Sequence, residues 1–495
     1  MRESNASKWG IVAAFFLWPA ATCFAADSIS VIQLAVTGMI VPGTGGTFTS
    51  FSAPTADRQV DSNTGEDVYF FEAQSSNGNS GVYAYDAYSN AWGLIADTTM
   101  TTPTGGTFAS FSNLSSGFGE VGFIATDSNG VQGVYARGGY FPLTLIATPS
   151  ASPVPGKTFG NIQSISMMGG VFYGQESGEI ESDNGIYDFS WTYEDGVLYS
   201  YNTIFTQEAD TSTTPPGATG PFTSFGPVSY KAVWYVSNVP GVGSTIRTVR
   251  ATAGGLEGIY YGVIPINSLQ RTSASLVKVI QAGDAISNTT GTYFTSFGDP
   301  IATSNEISFT AHYSTPSGDR QGIFAYGPYE DESDPPNFFV HELVAQGDVA
   351  PNSGGATFTS FSQLSDSSFN ETFPANLSNG GEGLYVYTTW DSSLYYDFGP
   401  PPQVVKVVVT GDTLDGKTVD GIELAPDASN YYDMGYDESY YRNVGIGFKV
   451  DFTDGSEGLY YFLINLPEPA SLSILALPAA TLFRRRPRTQ KPSET

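Results

Sequence analysis

The sequence predicts an all-β fold, a seven-bladed β-propeller, on the basis of a sevenfold repeat and an unusual composition. Two short signatures alternate along the chain seven times, at steps of about 50 to 70 residues. The chain of 495 residues contains 56 Gly, 30 Pro, 33 Phe and 30 Tyr, and only 14% of it is charged. Aromatic residues fit the pleated, half-buried surfaces of sheets, and Gly and Pro mark turns. Units that share one pattern at this spacing stack into a single body.

The first signature is a Gly-Thr-Phe-type turn with a recurrent aromatic residue. This position is occupied by Phe48, Phe108, Phe159, Phe222, Phe294 and Phe358, and by Val419 in the last unit. The second signature is Gly-aliphatic-aromatic and follows roughly 25 to 40 residues later. It starts at Gly81, Gly133, Gly185, Gly258, Gly322, Gly383 and Gly458. We expect the aromatic residues of both signatures to fill the space between neighbouring blades.

The fifth unit shows the strand content of one repeat most clearly. Short runs with alternating apolar residues, bounded by Gly, Asp, Asn or Pro, occur at 275–280, 292–298, 306–312, 322–326 and 341–346. The first and last of these five runs are counterparts in successive units, since each leads to Gly-Asp. Each unit therefore contributes about four strands, which is the make-up of a propeller blade.

The two ends of the repeat region predict how the ring closes. The last unit stops after the run 458–464, without the strand that follows this position in the other units. The N-terminal part of the chain offers a matching strand at 30–38, which is similar to 405–411. We therefore expect the N-terminal strand to complete the last blade, which removes the exposed edges of an open array.

Residues 1–25 have the organisation of a secretory signal peptide. A basic start precedes a short apolar stretch, and a small-residue cleavage site ends at Ala25, before Ala26. Cys23, the one cysteine of the chain, lies within this leader. The mature chain would then contain neither a disulfide framework nor a thiolate metal site.

The C-terminus carries a signal in three parts: a Pro-Glu-Pro motif, a short apolar stretch and an arginine cluster. These parts are Pro467, Glu468 and Pro469, then 470–483, then Arg484, Arg485 and Arg486. As a helix the apolar stretch would rise about 21 Å, short of the roughly 30 Å hydrocarbon core, so it predicts a short membrane span. The arginine cluster belongs on the cytoplasmic side by the positive-inside tendency, which puts the body outside.

This C-terminus resembles the PEP-CTERM sorting signal of Gram-negative bacteria, which has the same three parts in the same order. The resemblance implies recognition by an exosortase-type membrane protease, with the helix in the membrane before processing. It also implies delivery to the cell surface or extracellular matrix, often alongside exopolysaccharide. The chain then divides into a signal peptide at 1–25, a seven-repeat propeller at 26–466 and a sorting signal at 467–495. The repeat itself resembles an uncharacterised tandem-repeat family of secreted bacterial proteins, which implies a propeller-like fold and no established catalytic activity.

The charge of the chain excludes one class of function. The formal net charge is −29 at pH 7, from 20 basic and 49 acidic residues. A surface this acidic repels nucleic acid, since no basic stripe is available to neutralise phosphates. The same acidity keeps a secreted protein soluble.

An aspartate recurs after the strand that precedes the first signature, at Asp97, Asp210, Asp284, Asp348 and Asp412. We expect these side chains to cap backbone N–H groups in turns, because a residue that recurs with the repeat usually belongs to the scaffold. The alternative is a ring of carboxylates that binds calcium on one face. The glycine-rich segment 43–47 is likewise expected to be a turn, since it lacks the Lys-Ser or Lys-Thr pair of a phosphate-binding loop.

Denser acidic stretches offer weak calcium candidates at Asp331, Asp334, Asp451 and Asp454. Oxygen ligands at short spacing suit Ca²⁺, but none of these stretches matches an EF-hand loop. Solvated loops are the interpretation that we favour, and no other cofactor is predicted.

The sequence contains no catalytic motif. His312 and His341, the two histidines of the chain, cannot supply a three-ligand zinc site alone. Their strand contexts predict exposed or edge positions. No Gly-x-Ser-x-Gly elbow is present, and spacing does not single out a pair of glycosidase carboxylates. We therefore expect a protein without enzymatic activity.

Together these features predict a secreted propeller with a structural or adhesive role at the cell surface or in the matrix. Two alternatives stay open. One is a carbohydrate-binding module that uses aromatic platforms, with the candidates Trp191, Trp234, Trp390, Tyr431 and Tyr432. The other is a polysaccharide hydrolase or lyase on the same scaffold.

Overall fold

The structure is a computed structural model that describes residues 28–43, 45–59, 66–87, 89–117, 120–138, 142–168, 175–192, 204–233, 244–265, 275–286, 290–303, 306–328, 338–366, 370–388, 403–426 and 445–465. Within these ranges all regular secondary structure is β-strand, as the composition predicts. Ile29–Ile464 form one unit, and the two chain ends form a second one that lies almost wholly outside the described residues. The predicted signal peptide and C-terminal helix are therefore outside them too. No helix in the described part of the chain is long and apolar enough to cross a membrane.

Strand β1 (Ser28–Val36) comes first in the chain. Blade 1 contains β2 (Phe48–Phe51), β3 (Thr55–Gln59), β4 (Glu66–Ser75), β5 (Ser80–Asp86) and β6 (Ala91–Asp97). Blade 2 contains β7 (Phe108–Gly117), β8 (Glu120–Asp127), β9 (Gln132–Gly138) and β10 (Thr144–Ala147). Blade 3 contains β11 (Ile162–Met168), β12 (Gln175–Ser182), β13 (Gly185–Thr192) and β14 (Ile204–Asp210). Blade 4 contains β15 (Phe222–Val233), β16 (Ser244–Ala253), β17 (Leu256–Pro265) and β18 (Val277–Gln281).

The remaining three blades follow the same plan. Blade 5 contains β19 (Tyr293–Phe297), β20 (Ile301–Ala302), β21 (Ile307–Thr315), β22 (Gly318–Pro328) and β23 (Phe338–Ala345). Blade 6 contains β24 (Phe358–Phe361), β25 (Ser365–Asp366), β26 (Asn370–Leu377), β27 (Glu382–Thr388) and β28 (Gln403–Val409). Blade 7 contains β29 (Thr413–Leu414), β30 (Lys417–Glu423), β31 (Gly445–Phe452) and β32 (Glu457–Asn465).

Each blade is an antiparallel sheet whose main strands neighbour one another in chain order. Blade 1 has the order β2-β4-β5-β6, and the additional strand β3 also pairs with β4. The short strands β20 and β25 occupy the same extra position in blades 5 and 6. Blade 7 has the order β1-β32-β31-β30-β29, so β1 lies beside β32.

Neighbouring blades contact one another around a ring. The contacting strands are β3 with β7, β7 with β11, β11 with β15, β15 with β20, β20 with β25, β27 with β30, and β31 with β3. Every one of these pairs contains the first strand of a blade or the extra strand beside it, so the first strands surround the axis and the fourth strands form the rim. The seven-bladed β-propeller that the repeats predict is thereby confirmed.

A β-bulge explains the first signature. Phe48 and Phe51 are three residues apart and would point to opposite faces of a regular strand. The pairing of β2 with β4 shifts register between Phe48 and Ser50. Both rings consequently turn to the same face, where they are buried with their centroids 5.2 Å apart. The same shift follows the signature phenylalanine in β7, β15, β19 and β24.

The glycine of the second signature is required by close packing. In β17 a Cβ on Gly258 would lie 2.5 Å from the carbonyl oxygen of Ile280. In β32 a Cβ on Gly458 would lie 2.7 Å from the ring of Tyr460, the aromatic residue of the same signature. Any side chain would force the backbone or the ring to move, and interiors packed to crystal density resist such moves.

The aliphatic residue of the second signature packs against the next blade. Val82 of blade 1 belongs to the same buried cluster as Phe108 and Tyr135 of blade 2. Ile259 of blade 4 joins a cluster with Phe294 of blade 5 in the same way. These clusters confirm that the aromatic residues of both signatures fill the space between blades. Burial of such large apolar surfaces is the main force that holds neighbouring blades together.

Candidate functional site

The ring has two faces with different connections. The second and fourth strands of each blade end at one face, which we call the turn face. The first and third strands end at the opposite face, which we call the loop face. Connections at the loop face range from 118–119, between β7 and β8, to 424–444, between β30 and β31. At the turn face, the connections between second and third strands are two or four residues long, as at 254–255 and 378–381, so the repeats agree more closely there than at the loop face.

The recurrent aspartates lie at the turn face and accept hydrogen bonds from nearby backbone. Asp97 Oδ1 accepts from the N–H of Thr99 at 2.9 Å, and Asp348 Oδ2 accepts from the N–H of Ala345 at 2.9 Å. The same kind of contact is made by Asp210, Asp284 and Asp412. These are the contacts of turn-capping residues, the interpretation that the sequence favours.

A second recurrent contact joins neighbouring blades. It is made by the residue directly before the glycine of the second signature, and we call it the cross-blade contact. Glu457 Oε2 accepts from the N–H of Phe51 at 2.8 Å, so it joins blade 7 to blade 1. Glu257 Oε1 accepts from the N–H of Phe297 at 2.7 Å and joins blade 4 to blade 5. In both cases the donor lies in the first strand of the next blade.

Three further junctions use the same contact. Gln321 Oε1 accepts from the N–H of Phe361, and its Nε2 donates to the Phe361 carbonyl, both at 2.9 Å. Gln132 makes the same pair of bonds at 3.3 and 3.2 Å to the backbone of Ile162. Glu382 Oε2 accepts from the N–H of Ile422 at 3.4 Å. A glutamate or glutamine at this position therefore links five of the seven pairs of neighbouring blades.

An arginine crosses each of the other two junctions. Between blades 1 and 2, Arg137 on β9 donates through Nη1 to the carbonyls of Leu94 and Ile95, at 3.1 and 2.5 Å. Between blades 3 and 4 the arginine is Arg247 on β16. The residue before the signature glycine is Ser80 in blade 1 and Asn184 in blade 3, both shorter than glutamate.

Arg247 forms a buried ionic cluster with two acids of blade 3. Its Nη2 lies 3.2 Å from Asp188 Oδ2 on β13, and its Nη1 lies 2.8 Å from Glu208 Oε2 on β14. Burial raises the pKa of Glu208, although the guanidinium opposes the rise. The Arg247 side chain is 0% exposed, so no substrate reaches this cluster. We interpret the cluster as part of the blade 3–blade 4 junction and not as a catalytic site.

Glu181 on β12 is another buried acid in blade 3. Its Oε2 accepts a hydrogen bond from Ser164 Oγ at 2.9 Å. Burial raises the pKa of Glu181 to about 7, and the nearby acid Asp299 acts in the same direction. Such a perturbed acid often marks a functional site. Glu181 is 1% exposed, however, and its neighbours are residues of the scaffold.

Two of the predicted calcium candidates are described, and each lies beside a lysine. Asp451 Oδ1 is 3.4 Å from Lys449 Nζ, and Asp454 Oδ2 is 3.2 Å from Lys417 Nζ. Among the described residues, no group of three or more His, Cys, Asp or Glu is arranged to hold a metal ion. Calcium binding stays a prediction.

Most other predicted site residues lie outside the described residues, and their roles stay predictions. These are Ala25, Ala26, Asp331, Asp334, Pro467, Glu468, Pro469, Arg484, Arg485 and Arg486. Four of the five aromatic candidates for carbohydrate binding also lie outside the described residues: Trp234, Trp390, Tyr431 and Tyr432. Trp191 lies in β13, where it pairs with Glu176 of β12.

The two histidines lie on different strands of blade 5. His312 is exposed on β21. His341 is half-buried on β23, the outer strand, where its ring centroid is 5.4 Å from that of Phe339. Burial lowers the pKa of His341 below its usual value. These positions agree with the predicted exposed or edge positions.

Sequence reasoning missed the residues that join the blades. The cross-blade contact had a signal, because aligning the seven repeats on the second signature brings Gln132, Glu257, Gln321, Glu382 and Glu457 into one column. Arg247 also had a signal, since it stands in a strand pattern between the apolar residues Ile246 and Val249. What the sequence lacked was the partner of each residue, which belongs to another blade.

Comparisons with known proteins concern the fold alone. No protein-family model and no curated protein matches the chain. The β-propeller domain of the Trilobed protease from Pyrococcus furiosus is 8% identical, with a TM-score of 0.38 over 85% of this chain and 100% of that one. A mutant Aleuria aurantia lectin in complex with Fucalpha1-6GlcNAc is 14% identical, with a TM-score of 0.30 over 74% and 99%. The WD40 domain of SCAP from fission yeast is 9% identical, with a TM-score of 0.31 over 89% and 98%. We draw no functional argument from likenesses at this level.

Proposed function

We propose that the protein is a secreted, non-enzymatic structural or adhesive component of the bacterial cell surface or extracellular matrix. One observation carries the proposal: the recurrent polar residues of the described blades serve the ring itself. Asp97 and its counterparts cap turns, and Glu457 and its counterparts join blades. Arg247 is buried between two blades. Because these side chains are engaged in holding turns and blades together, they favour a role as a rigid scaffold over a role in catalysis.

The sequence of the C-terminus supports the cellular address. A sorting signal of the PEP-CTERM kind would hold the chain in the membrane until an exosortase-type protease cuts near Pro467-Glu468-Pro469. Replacing all three motif residues by alanine should leave the protein in the membrane fraction of its native host, whereas the unchanged protein reaches the surface or matrix. Alanine at Pro487 and Pro492, two prolines outside the motif, is the matched control. Normal delivery of the motif variant would contradict the proposed route.

We also propose that β1 completes blade 7 and keeps the ring closed. The sheet order, in which β1 neighbours β32, supports this closure. The N–H of Thr37 donates to the Glu457 carbonyl at 3.0 Å, and Leu34 shares a buried cluster with Leu459. A ring sealed by its own N-terminus has no open edge between its first and last blades. Deleting residues 29–36 should therefore broaden and lower the unfolding transition, and an unchanged transition would contradict closure by β1.

We assign partner contacts to the loop face. The turn face repeats the same caps and turns from blade to blade, whereas the connections at the loop face differ in length and sequence. Binding residues commonly lie on loops that a rigid scaffold positions. With a net charge of −29, the chain favours partners that do not repel negative charge, such as matrix polysaccharide bridged by divalent cations.

A binding and turnover screen of residues 26–466 tests the proposed role. The fragment is incubated with exopolysaccharide from its host, with and without Ca²⁺, and assayed for association, hydrolysis and lyase activity. We expect association without release of sugar fragments. Release of fragments would contradict the non-enzymatic role and favour the hydrolase or lyase alternative. Selective binding of one glycan on an array would instead favour a carbohydrate-binding module.

A further inference from the structure

The cross-blade contact occurs in two chemical forms. Gln132 and Gln321 are neutral at every pH, so the junctions that they form carry no titratable group at the contact. Glu257, Glu382 and Glu457 use a carboxylate in the same place, and its charge depends on pH. The ring therefore contains a neutral and an ionisable form of the cross-blade contact.

Two of the three glutamates lie beside a cation. Arg250 Nη1 is 3.9 Å from Glu257 Oε2 in blade 4, and Lys449 Nζ is 3.7 Å from Glu457 Oε2 in blade 7. Both cations occupy the same place in the second strand, since Arg250 pairs with Ile259 and Lys449 pairs with Leu459. Each pairing partner directly follows the signature glycine. A cation at this site stabilises the ionised carboxylate.

Glu382 in blade 6 has a different environment. In its second strand, the position that holds the cation in blades 4 and 7 is occupied by Pro374. This residue pairs with Leu384, which directly follows the signature glycine of blade 6. In the described part of the chain Glu382 forms no ion pair, and the charged group that acts on it is another acid, Asp451 of β31. Its polar neighbours are the N–H of Ile422 at 3.4 Å and the hydroxyl of Thr410, which accepts from the Glu382 N–H at 3.1 Å.

We propose that, of the five junctions with a cross-blade contact, the junction between blades 6 and 7 loosens first as the pH rises, because Glu382 makes the contact there without a neighbouring cation. The glutamine contacts of blades 2 and 5 do not change their charge with pH. In the contacts of blades 4 and 7 a cation lies within 3.9 Å of the glutamate carboxylate. Among the cross-blade contacts, that of blade 6 gains an uncompensated, partly buried charge when Glu382 loses a proton.

The sign of the effect follows from the environment of Glu382. Partial burial raises its pKa above the usual value; the N–H of Ile422 opposes the rise without reversing it, and Asp451 adds to it. A group whose pKa is raised on folding stabilises the folded state at low pH and loses that contribution as the pH rises through its folded-state pKa. The blade 6–blade 7 joint should therefore be tightest in acid and should weaken toward neutral and alkaline pH.

Hydrogen exchange measured by mass spectrometry tests the proposal on the full chain. Protection of the peptides that contain Ile422 and Phe361 is compared at about pH 5 and about pH 8, after correction for intrinsic exchange. We expect protection around Ile422 to fall several-fold relative to protection around Phe361 as the pH rises. In the variant Glu382→Gln, which copies the joints of blades 2 and 5, this relative fall should disappear.

A reciprocal variant keeps the test decisive. Gln321→Glu introduces an ionisable joint in blade 5, where the residue in the cation's place is Thr310, which pairs with Ile323. We expect this variant to move a pH-dependent loss of protection to the peptide that contains Phe361. The proposal is overturned if Glu382→Gln leaves the pH dependence around Ile422 unchanged, or if Gln321→Glu adds none around Phe361.

Discussion

Glu457 and Phe51 are 406 positions apart in the chain and meet in one hydrogen bond, in which the N–H of Phe51 donates to Glu457 Oε2 at 2.8 Å. The contact joins the last blade to the first. Lys449 lies 3.7 Å from the same carboxylate oxygen and forms an ion pair with it. The junction where the two ends of the repeat region meet therefore uses the same device as the junctions between consecutive repeats.

Removing the Glu457 side chain should weaken the ring at this junction. The variant Glu457→Ala leaves the Phe51 N–H without its acceptor and Lys449 without one of its acids. A buried or half-buried donor that loses its partner costs about 1 to 3 kcal/mol, which is the expected loss in the free energy of unfolding in urea. The exposed acid Asp420 on β30 supplies the control, since Asp420→Ala removes a similar charge from the surface. Equal stability of the two variants would contradict a role for Glu457 in the junction.

A methyl group at Gly258 should be poorly tolerated. The added Cβ would lie 2.5 Å from the Ile280 carbonyl oxygen, so the outer strand of blade 4 would have to move. We expect Gly258→Ala to lower the free energy of unfolding by roughly 1 to 3 kcal/mol. Gly93 on β6 is the matched control, because a Cβ there would approach the Ala84 Cβ only to 3.8 Å. A Gly93→Ala variant as unstable as Gly258→Ala would show that strand glycines matter for another reason.

The hydroxyl groups of the signature tyrosines should differ in how much they contribute to the free energy of unfolding. The Tyr83 hydroxyl is buried without a hydrogen-bond partner in the described part of the chain, whereas the Tyr460 hydroxyl donates to Asp415 Oδ2 at 3.0 Å. Blade 5 already has phenylalanine, Phe324, at this position. We expect Tyr83→Phe to be neutral or stabilising and Tyr460→Phe to cost about 1 kcal/mol in thermal or urea unfolding. The reverse order would contradict the assigned contacts.

Arg247 should be among the least replaceable charged residues. The variant Arg247→Met leaves Asp188 and Glu208 buried without their shared cation. Breaking a buried ionic cluster in this way typically costs about 3 to 5 kcal/mol, and the loss should appear in the midpoint of urea unfolding. Neutralising both acids in the same chain, as Asp188→Asn with Glu208→Gln, should recover much of that loss. A triple variant no more stable than Arg247→Met would show that packing of the arginine stem, and not its charge, holds the junction.

Glu181 should make stability depend on pH. Burial raises its pKa from 4.5 to about 7 in the folded protein, so the folded chain keeps a proton that the unfolded chain releases. Its contribution to stability is therefore complete below about pH 4.5 and is lost as the pH rises through about 7, a change of roughly 3 kcal/mol. Glu181→Gln should flatten the fall in unfolding free energy across this window. A slope identical to that of the unchanged protein would exclude Glu181 as its source.

Much of the architecture follows from local patterns. A Cβ at Gly258 would collide with neighbouring atoms, so packing requires glycine at this position of the second signature. This requirement makes the signature recognisable in the sequence. Asp97 and the equivalent aspartates cap turns within two or three residues of themselves, and such short-range contacts are legible from local sequence. The bulge after Phe48 is also local, although alternation alone would have put Phe48 and Phe51 on opposite faces.

The candidate site was less predictable. The column of glutamates and glutamines before the signature glycines is visible in the sequence, yet nothing in it says that Glu382 lies beside Asp451 while Glu457 lies beside Lys449. The same holds for Arg247, because its partners Asp188 and Glu208 lie 59 and 39 residues earlier in the chain. The pKa of Glu382, for example, depends on its burial and on Asp451 of the next blade.

The amino-acid sequence alone determined the repeat, the strand content, the number of blades and the turn-capping role of the aspartates, because each depends on residues close together in the chain. Only the tertiary structure decided which polar residues cross between blades, which of them carry a compensating charge, and which are sealed from solvent. Those properties depend on through-space distance and on desolvation, and both arise only when strands from different repeats are brought side by side.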